Sequence, residues 1–154
     1  MHEKKGEWKR KNAGKIVGLA ILALLILLLI VHFLPTGEKN AATQEDRLAF
    51  LASLGWETEA ETEEANSVRI PDCGEGAMAD YNALLQKGGW DLSDYEGKTV
   101  EQYQYQLKNY PDCEQTVWVT LYVWHGRVIG GDIHTAQLDG FMHELRPNNE
   151  TTTG

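Results

Sequence analysis

The chain has 154 residues with 14 basic and 23 acidic side chains, a formal net charge of −9, and this length has room for one small folded domain beside shorter segments. The charge is uneven. Residues 1–15 hold six of the basic and two of the acidic residues and residues 16–34 hold none, so residues 35–154 have 8 against 21, a net charge of −13. Because nucleic-acid binding requires a basic surface, this composition argues against nucleic acid as a partner.

Residues 16–34 form a continuous apolar run, IVGLAILALLILLLIVHFL, in which His32 is the one strongly polar residue. As a helix this run would extend about 28 Å, roughly the thickness of the bilayer hydrocarbon core. Residues 1–15 form a basic arm with a net charge of +4, and basic flanks stay on the cytoplasmic side. We therefore predict a single-pass transmembrane helix at the cell membrane, with a cytoplasmic N-terminus and an extracytoplasmic C-terminal domain.

A cleaved signal peptide is the alternative to a retained anchor. Its apolar segment usually has about 7–15 residues and ends in an A-x-A site. The run at 16–34 is longer, and Asn40-Ala41-Ala42 is a weak match to the cleavage site. We expect the anchor to be retained, followed by a linker at 35–42, an α+β domain at 43–146 and a disordered tail at 147–154.

Two short helices are predicted first in this domain. Thr43 to Asp46 resembles a capping box, and apolar residues at helical spacing then lead to Gly55, which predicts a helix over about 44–54. Asp72 and Glu75 give a second cap signal. Apolar residues then recur at i, i+3, i+4 and i+7 up to Gly88-Gly89, at Ala77, Met78, Tyr81, Leu84 and Leu85.

The second half of the domain predicts antiparallel strands. Residues 99–107, 116–124 and 127–134 alternate between side-chain types, and His125-Gly126 is typical of a two-residue hairpin turn. That turn sets the register of the hairpin, with a bulge at Gly130-Gly131 as an alternative. The predicted pairs are Val123 with Val128, Leu121 with Gly130, Tyr122 with Ile129 and Trp118 with Ile133.

Three further segments have weaker signals for secondary structure. Residues 57–64 contain five glutamates, which is typical of a solvated loop or a fraying strand. Val68 to Ile70 predicts a short strand, and Leu138 to Leu145 a short closing helix before Pro147. The expected fold is therefore α+β, with two short helices followed by a three- to four-stranded antiparallel sheet.

Trp118, Tyr122 and Trp124 fall on one face of the predicted strand 116–124, bordered by glutamines of the preceding strand. An exposed aromatic patch of this kind would suit a protein, peptide or glycan of the cell envelope. Core packing under the helices is the alternative, because large aromatic side chains are usually buried. The three residues are candidate ligand-binding residues with that alternative open.

Asp132 and His134 lie two residues apart in the last predicted strand, so their side chains share a face. With His125 and His143 nearby in sequence, this pair is a candidate site for a divalent metal, and ordinary surface histidines are the alternative. Residues 90–97 contain three carboxylates without the spacing of a calcium-binding loop. We interpret that segment as a capped turn.

Cys73 and Cys113 each follow a Pro-Asp pair. In an oxidising compartment an even number of cysteines usually forms disulfides, so we predict a bond between them. Two inert free thiols are one alternative. A reactive Cys73 in the first turn of the second helix, where the helix dipole lowers a thiol pKa, is another.

No pattern typical of a serine hydrolase, a zinc protease, a dithiol oxidoreductase or a P-loop protein is present. The sequence therefore favours a membrane-anchored extracytoplasmic binding or interaction module without a cofactor. The alternative is an envelope enzyme or a divalent-metal-dependent factor that uses Asp132, His134 or Cys73.

A further set of motifs runs from Arg47 to about Leu145. It comprises Phe50-Leu51, Gly55-Trp56, Ile70-Pro71, Tyr81-Asn82, Gly89-Trp90-Asp91-Leu92, Tyr95-x-Gly97-Lys98, Val128-Ile129-Gly130-Gly131-Asp132 and Leu138-Asp139-Gly140-Phe141. In these motifs the chain resembles a bacterial family, the domain of unknown function numbered 4830. The resemblance implies a Gram-positive source and an exported domain behind one N-terminal membrane segment. It implies no activity, cofactor or catalytic residue.

Overall fold

The computed structural model describes residues 39–137 and 139–148, together with Ile21 and Ala23. The chain divides into two compact units, Met1–Thr36 and Gly37–Gly154. Ile21 and Ala23 are helical, while the basic arm, the rest of the predicted transmembrane run and residues 149–154 of the predicted tail lie outside the described residues. In the part of the chain that is described, no helix has the length and hydropathy needed to cross a bilayer.

The described residues of the second unit form two helices and a five-stranded antiparallel sheet. The elements are α1 (Gln44–Ser53), β1 (Thr58–Arg69), α2 (Gly76–Lys87), β2 (Thr99–Leu107), β3 (Val117–Trp124), β4 (Arg127–Thr135) and β5 (Met142–Glu144). The strands are hydrogen-bonded in chain order. The predicted α+β class is confirmed. The predicted strand count is too low, and the placing of both helices before the sheet is wrong, because β1 lies between them and β5 follows β4.

α1 begins and ends at the residues that carry its sequence signals. The Asp46 N–H donates to the Thr43 hydroxyl at 3.2 Å, and the Thr43 N–H donates to the Asp46 carboxylate at 3.1 Å. This capping box satisfies two donors that a helix start leaves unpaired. The chain leaves the helix through Gly55 at φ +82°, a conformation that glycine adopts at low cost. The predicted helix over 44–54 is confirmed to within one residue.

β1 includes the acidic segment that the sequence pattern left undecided. Residues 57–64 do not form a loop, because Thr58 to Arg69 make one edge strand that pairs with β2. No residue of this strand is buried, so its acidic side chains stay in contact with solvent. Glu63 also binds Arg47 of α1 at 2.8 Å. Of the two predicted alternatives for residues 57–64, a solvated loop and a fraying strand, the strand is correct. The short strand predicted at 68–70 corresponds to the end of β1.

The β3–β4 hairpin turns at His125 and Gly126, as predicted. Their φ angles are 49° and 72°, and two positive φ values are what a type I′ turn requires. Val123 pairs with Val128 as predicted, so the turn fixes the first rungs of the hairpin.

A bulge then shifts the remaining register of the hairpin. Ile129 is the extra residue on β4, and Tyr122 pairs with Gly130 rather than with Ile129. The bulge therefore lies one residue before the predicted Gly130-Gly131 position. The other two predicted pairs are each displaced by one residue, so that Leu121 pairs with Gly131 and Trp118 with His134.

The segment predicted as a closing helix forms β5 instead. The Thr135 N–H donates to the Phe141 carbonyl at 3.1 Å, and the Phe141 N–H donates to the Thr135 hydroxyl at 3.1 Å. This reversal brings Met142 to Glu144 alongside β4, whose backbone groups need partners. Pairing with the sheet outweighs the helical periodicity because an isolated helix of about eight residues is unstable in water. Leu138 itself lies outside the described residues.

The two helices cover opposite faces of the sheet. Tyr103 and Tyr105 of β2 share the face that α1 contacts through Arg47, and Tyr122 lies on the other face, where it contacts Tyr81 of α2. The buried residues nevertheless form one hydrophobic cluster. The largest fully buried side chains are Trp56, Tyr105, Leu51, Leu85, Leu92, Leu121, Ile133 and Leu145.

Cys73 and Cys113 are free thiols, so the predicted disulfide is not formed. Cys73 follows β1 near the start of β2, and Cys113 follows the end of β2. The nine residues of β2 separate these positions by roughly 27 Å, whereas a disulfide needs Cα atoms within about 7 Å. Each thiol instead lies near a backbone carbonyl, that of Pro71 at 3.6 Å and that of Gln115 at 3.7 Å.

Candidate functional site

The three aromatic residues singled out on β3 share a face but do not form one patch. The ring of Tyr122 meets that of Tyr81 at a centroid distance of 6.3 Å, and the ring of Trp124 meets that of Tyr95 at 5.4 Å, both in edge-to-face geometry. All three are half-buried. Tyr122 and Trp124 line two separate grooves, and Trp118 is not among the residues that line either of them.

The larger groove, called the aromatic groove below, lies between the loop after α2 and the β3–β4 turn. Its volume is about 430 Å³, within the range of small-ligand pockets. Its lining includes three aromatic side chains, two carboxylates and two cations, namely Trp90, Tyr95, Trp124, Asp91, Asp94, Lys39 and Arg127. Sequence reasoning singled out Trp124 alone among them. Trp90 and Tyr95 lie in an acidic, turn-rich segment without periodicity, so no sequence pattern indicates that they share a groove with Trp124.

The aromatic rings of this groove carry lysine ammonium groups on their faces. Lys39 Nζ lies 4.1 Å from the centroid of Trp90. Lys98 Nζ lies 4.7 Å from the centroid of Trp124 and 5.0 Å from that of Tyr95. A cation within about 6 Å of a ring face is attracted by the ring quadrupole. All three rings are therefore in positions that bind cations.

Trp90 is a fixed part of the groove wall. Its indole N–H donates to the Leu145 carbonyl at 3.1 Å, and 8% of the residue is exposed. Its ring also packs edge to face against Phe50 of α1, with 6.3 Å between centroids. A ring held at its nitrogen and its edge loses little entropy when a ligand binds its face.

Asp91 shapes the loop that follows α2. Its carboxylate accepts hydrogen bonds from the side chains of Asn82, Ser93 and Gln86 at 2.9, 2.7 and 3.0 Å. The bond from Asn82 and then those from Ser93 lower the pKa of Asp91 well below its usual range, so the carboxylate is ionised at physiological pH. The Ser93 N–H also donates to Asp91, and the capped turn predicted for residues 90–97 is confirmed.

Residues 39–42, predicted as the end of a linker, pack against the β3–β4 hairpin. The Ala41 N–H donates to the Gly126 carbonyl at 2.8 Å, and the Val128 N–H donates to the Lys39 carbonyl at 2.7 Å. Ala41 is 1% exposed. Two adjacent alanines in a polar segment were the available sequence signal for this contact. The segment matters because it brings Lys39 into the aromatic groove.

Asp132 and His134, the predicted metal pair, bind each other. His134 Nδ1 lies 2.7 Å from Asp132 Oδ1, and the Tyr81 hydroxyl donates to Asp132 Oδ2 at 2.5 Å. Asp132 is 2% exposed, so these two partners compensate its burial. The contact between the two residues uses His134 Nδ1, which leaves His134 Nε2 available for an external partner. Within residues 39–137 and 139–148, no group of three or more His, Cys, Asp or Glu residues is arranged to bind a metal.

The second groove, with a volume of about 340 Å³, opens beside this pair and is lined by Arg69, Tyr81, Gln102, Tyr122 and apolar side chains. The Gln102 amide donates to the Tyr122 hydroxyl at 3.2 Å, and the two phenols lie 3.3 Å apart. Burial above all, and then the charge of Asp132, raise the pKa of Tyr81, and burial likewise raises the pKa of Tyr122. Both therefore stay neutral at physiological pH.

Cys73 is not placed as the reactive-thiol alternative requires. α2 begins at Gly76, so Cys73 precedes the helix by three residues rather than occupying its first turn. Burial and then the charge of Glu96 raise the pKa of Cys73. A raised pKa lowers the thiolate fraction, and the thiolate is the nucleophile.

A comparison with protein families finds a match in the domain just described. The family model with the description "Domain of unknown function (DUF4830)" matches residues 50–133. These residues run from α1 into β4 and include Trp90, Tyr95 and Trp124 of the aromatic groove. No curated protein and no solved structure matches the chain.

Proposed function

Because the chain belongs to the family described as "Domain of unknown function (DUF4830)", which names no activity, we propose its function from its own geometry. In this proposal, the protein is a membrane-anchored extracytoplasmic module that binds a peptide or glycan of the cell envelope in the aromatic groove. The observation that carries this proposal is a cleft of about 430 Å³ with Trp90, Tyr95 and Trp124 in its walls.

The composition of the aromatic groove supports binding in two ways. Aromatic side chains supply large contact areas and dominate the energetics of recognition sites. The carboxylates of Asp91 and Asp94 and the guanidinium of Arg127, which also line the groove, supply the few polar groups that orient a ligand.

The location rests on the N-terminal sequence. Residues 16–34 are long and apolar enough for one span, and the +4 arm before them favours a cytoplasmic N-terminus. The family resemblance supports a Gram-positive source. A reporter enzyme that works only outside the cytoplasm, fused after Gly154, will be active in cells. This topology would be contradicted if that reporter were inactive and a reporter that works only in the cytoplasm were active at the same position.

The binding proposal is tested with the full chain in detergent micelles. Calorimetric titration with a muropeptide, a neutral oligosaccharide and a cationic peptide will find binding by at least one of them. Trp124→Leu will weaken it about tenfold or more, as expected for an aromatic contact residue. Trp118→Leu is the matched control, since it removes a half-buried tryptophan from the same strand face. Equal effects of the two substitutions, or no binding by any ligand, would refute the proposal.

A second candidate function belongs to Asp132 and His134. We propose, as the alternative, an envelope enzyme or divalent-metal-dependent factor, supported by the 2.7 Å contact that orients the imidazole and leaves Nε2 available. Calorimetry with Zn²⁺ on the full chain would then show binding that Asp132→Asn and His134→Gln both remove. Affinity that is absent, or unchanged in both variants, rejects the metal form of this alternative.

A further inference from the structure

The aromatic groove already contains cations that belong to the protein. Lys98 is fixed there: its ammonium lies over two rings and donates to the Asp94 carbonyl at 2.7 Å. Lys39 is held differently. It is exposed, and within the described residues its ammonium meets the Trp90 ring alone. The Lys39 side chain is thus the replaceable one of the two.

The charges in and around the groove allow another cation in that position. Its lining has two basic side chains, Lys39 and Arg127, and two carboxylates, Asp91 and Asp94. When the Lys39 side chain swings out, Arg127 and the Lys98 ammonium over the two rings balance the two carboxylates, so an incoming cation meets no net positive charge in the groove. The net charge of −13 on residues 35–154 adds a long-range attraction for cations.

We infer that the aromatic groove recognises a lysine-bearing cationic peptide, one ammonium of which replaces the Lys39 ammonium on the face of Trp90. This inference rests on the proposed function and specifies its ligand. Lys39 then acts as an internal competitor for the site. The cation–π contact of an exposed lysine corresponds to roughly a two- to fivefold change in a binding constant, so this is the effect that the competitor has on ligand affinity.

The first test compares two charge-matched variants of the full chain in detergent micelles. The probe is an N-acetylated, C-amidated tetralysine peptide, and the same peptide with its four side chains acetylated is the neutral control. Lys39→Met will raise the affinity for tetralysine about two- to fivefold. Lys87→Met removes the same charge from an exposed position at the end of α2, so it reports the long-range effect alone. Equal affinities of the two variants, or equal binding of the acetylated peptide, would overturn the inference.

The second test observes Lys39 directly by NMR with isotope-labelled lysine. The Lys39 ammonium lies 4.1 Å from the centroid of the Trp90 ring, so we expect the ring current to shift the resonances of the adjacent ε-methylene protons upfield. Lys39→Met identifies these resonances by their loss. Saturating tetralysine will return these resonances toward the positions of free lysine. Resonances that stay upfield at saturation would contradict displacement.

The outcome with Trp124→Leu separates the two proposals. If this variant loses binding of a ligand while Lys39→Met behaves like Lys87→Met, the groove binds that ligand and the ammonium displacement is wrong. If Trp124→Leu and Trp118→Leu bind every probe as the parent does, the proposed function of the groove fails as well.

Discussion

Replacing Glu63 by alanine will destabilise the domain more than replacing its partner Arg47 by methionine. The two side chains form an ion pair at 2.8 Å with unequal exposure, 5% for Arg47 and 22% for Glu63. Arg47 also donates to the Tyr105 hydroxyl at 2.9 Å and to the Ala41 carbonyl at 3.1 Å. The Tyr105 hydroxyl in turn donates to Glu63.

The magnitudes follow from what each substitution leaves behind. Glu63→Ala strands a buried guanidinium, and removing one partner of a buried pair costs about 3–5 kcal/mol. We expect about 3 kcal/mol because Arg47 keeps its bonds to Tyr105 and Ala41. Arg47→Met fills most of the same volume and leaves a carboxylate that reaches water, so its cost is about 1–2 kcal/mol. The double variant will cost about as much as Arg47→Met alone, a coupling of roughly 3 kcal/mol.

Urea denaturation of the full chain in nonionic micelles, followed by tryptophan fluorescence, measures these free energies from the midpoints at a constant slope. The reasoning is refuted if Glu63→Ala costs no more than Arg47→Met. It is also refuted if the cost of the double variant equals the sum of the single costs, because the pair would then not be coupled. Circular dichroism checks that each variant is folded before denaturation.

Three other predictions concern stability and the thiols. Burial lowers the pKa of His143 from its ordinary value of 6.5, so its contribution to stability is complete above about pH 6.5 and is lost as the pH falls below it. In urea denaturation, the unfolding free energy of His143→Gln will therefore fall less than that of the parent between about pH 6.5 and pH 5. An equal fall in both proteins would argue against this. Gly131→Ala will cost about 3 kcal/mol in the same assay, because its Cβ would overlap the backbone carbonyl oxygen of Thr120 on β3. Gly130→Ala, which meets flexible leucine side chains at 3.1 Å and beyond, will cost about 1 kcal/mol, and equal costs would show that the strand adjusts. Mass spectrometry after alkylation under denaturing, non-reducing conditions will find both Cys73 and Cys113 alkylated, whereas a mass lower by two hydrogens with neither alkylated would establish the disulfide.

Features that depend on neighbouring residues were predictable from the sequence. The capping box at Thr43, the stop at Gly55 and the turn at His125-Gly126 each involve a few consecutive residues whose backbone preferences are strong. Alternation along residues 99–107 likewise indicated β2 because its two faces differ in polarity.

Features that depend on distant partners were not predictable in this way. β1 is a strand because β2 pairs with it, although its glutamates favour a solvated loop. β5 is a strand because the chain reverses at Thr135 and meets β4. The bulge that shifts the hairpin register lies at Ile129. No local signal in the sequence distinguishes this position from the neighbouring Gly130-Gly131. The cysteine pairing failed for the same reason, since spacing does not say which end of a strand a residue occupies.

The candidate site shows the same division. Trp124 was identified because it alternates along β3, but its neighbours in the aromatic groove come from other parts of the chain. Lys39 reaches the groove through backbone bonds to the hairpin turn, and the two adjacent alanines of its segment do not indicate which part of the chain they contact. Asp132 and His134 were placed correctly on one face. Their mutual contact and the bond from Tyr81 depend on the packing of α2 over the sheet.

The acidic edge strand has a consequence for contacts between copies of this protein. β1 is one of the two outer strands of the sheet, and it contains four glutamates within its first seven residues. An exposed strand edge normally invites pairing with an identical edge, which starts aggregation. Because Glu63 is paired with Arg47, two such edges brought together would place the other six carboxylates, from Glu59, Glu61 and Glu64 of each copy, near one seam, and their repulsion opposes that contact. A domain with this edge can therefore reach a high local concentration while its copies still act as separate units.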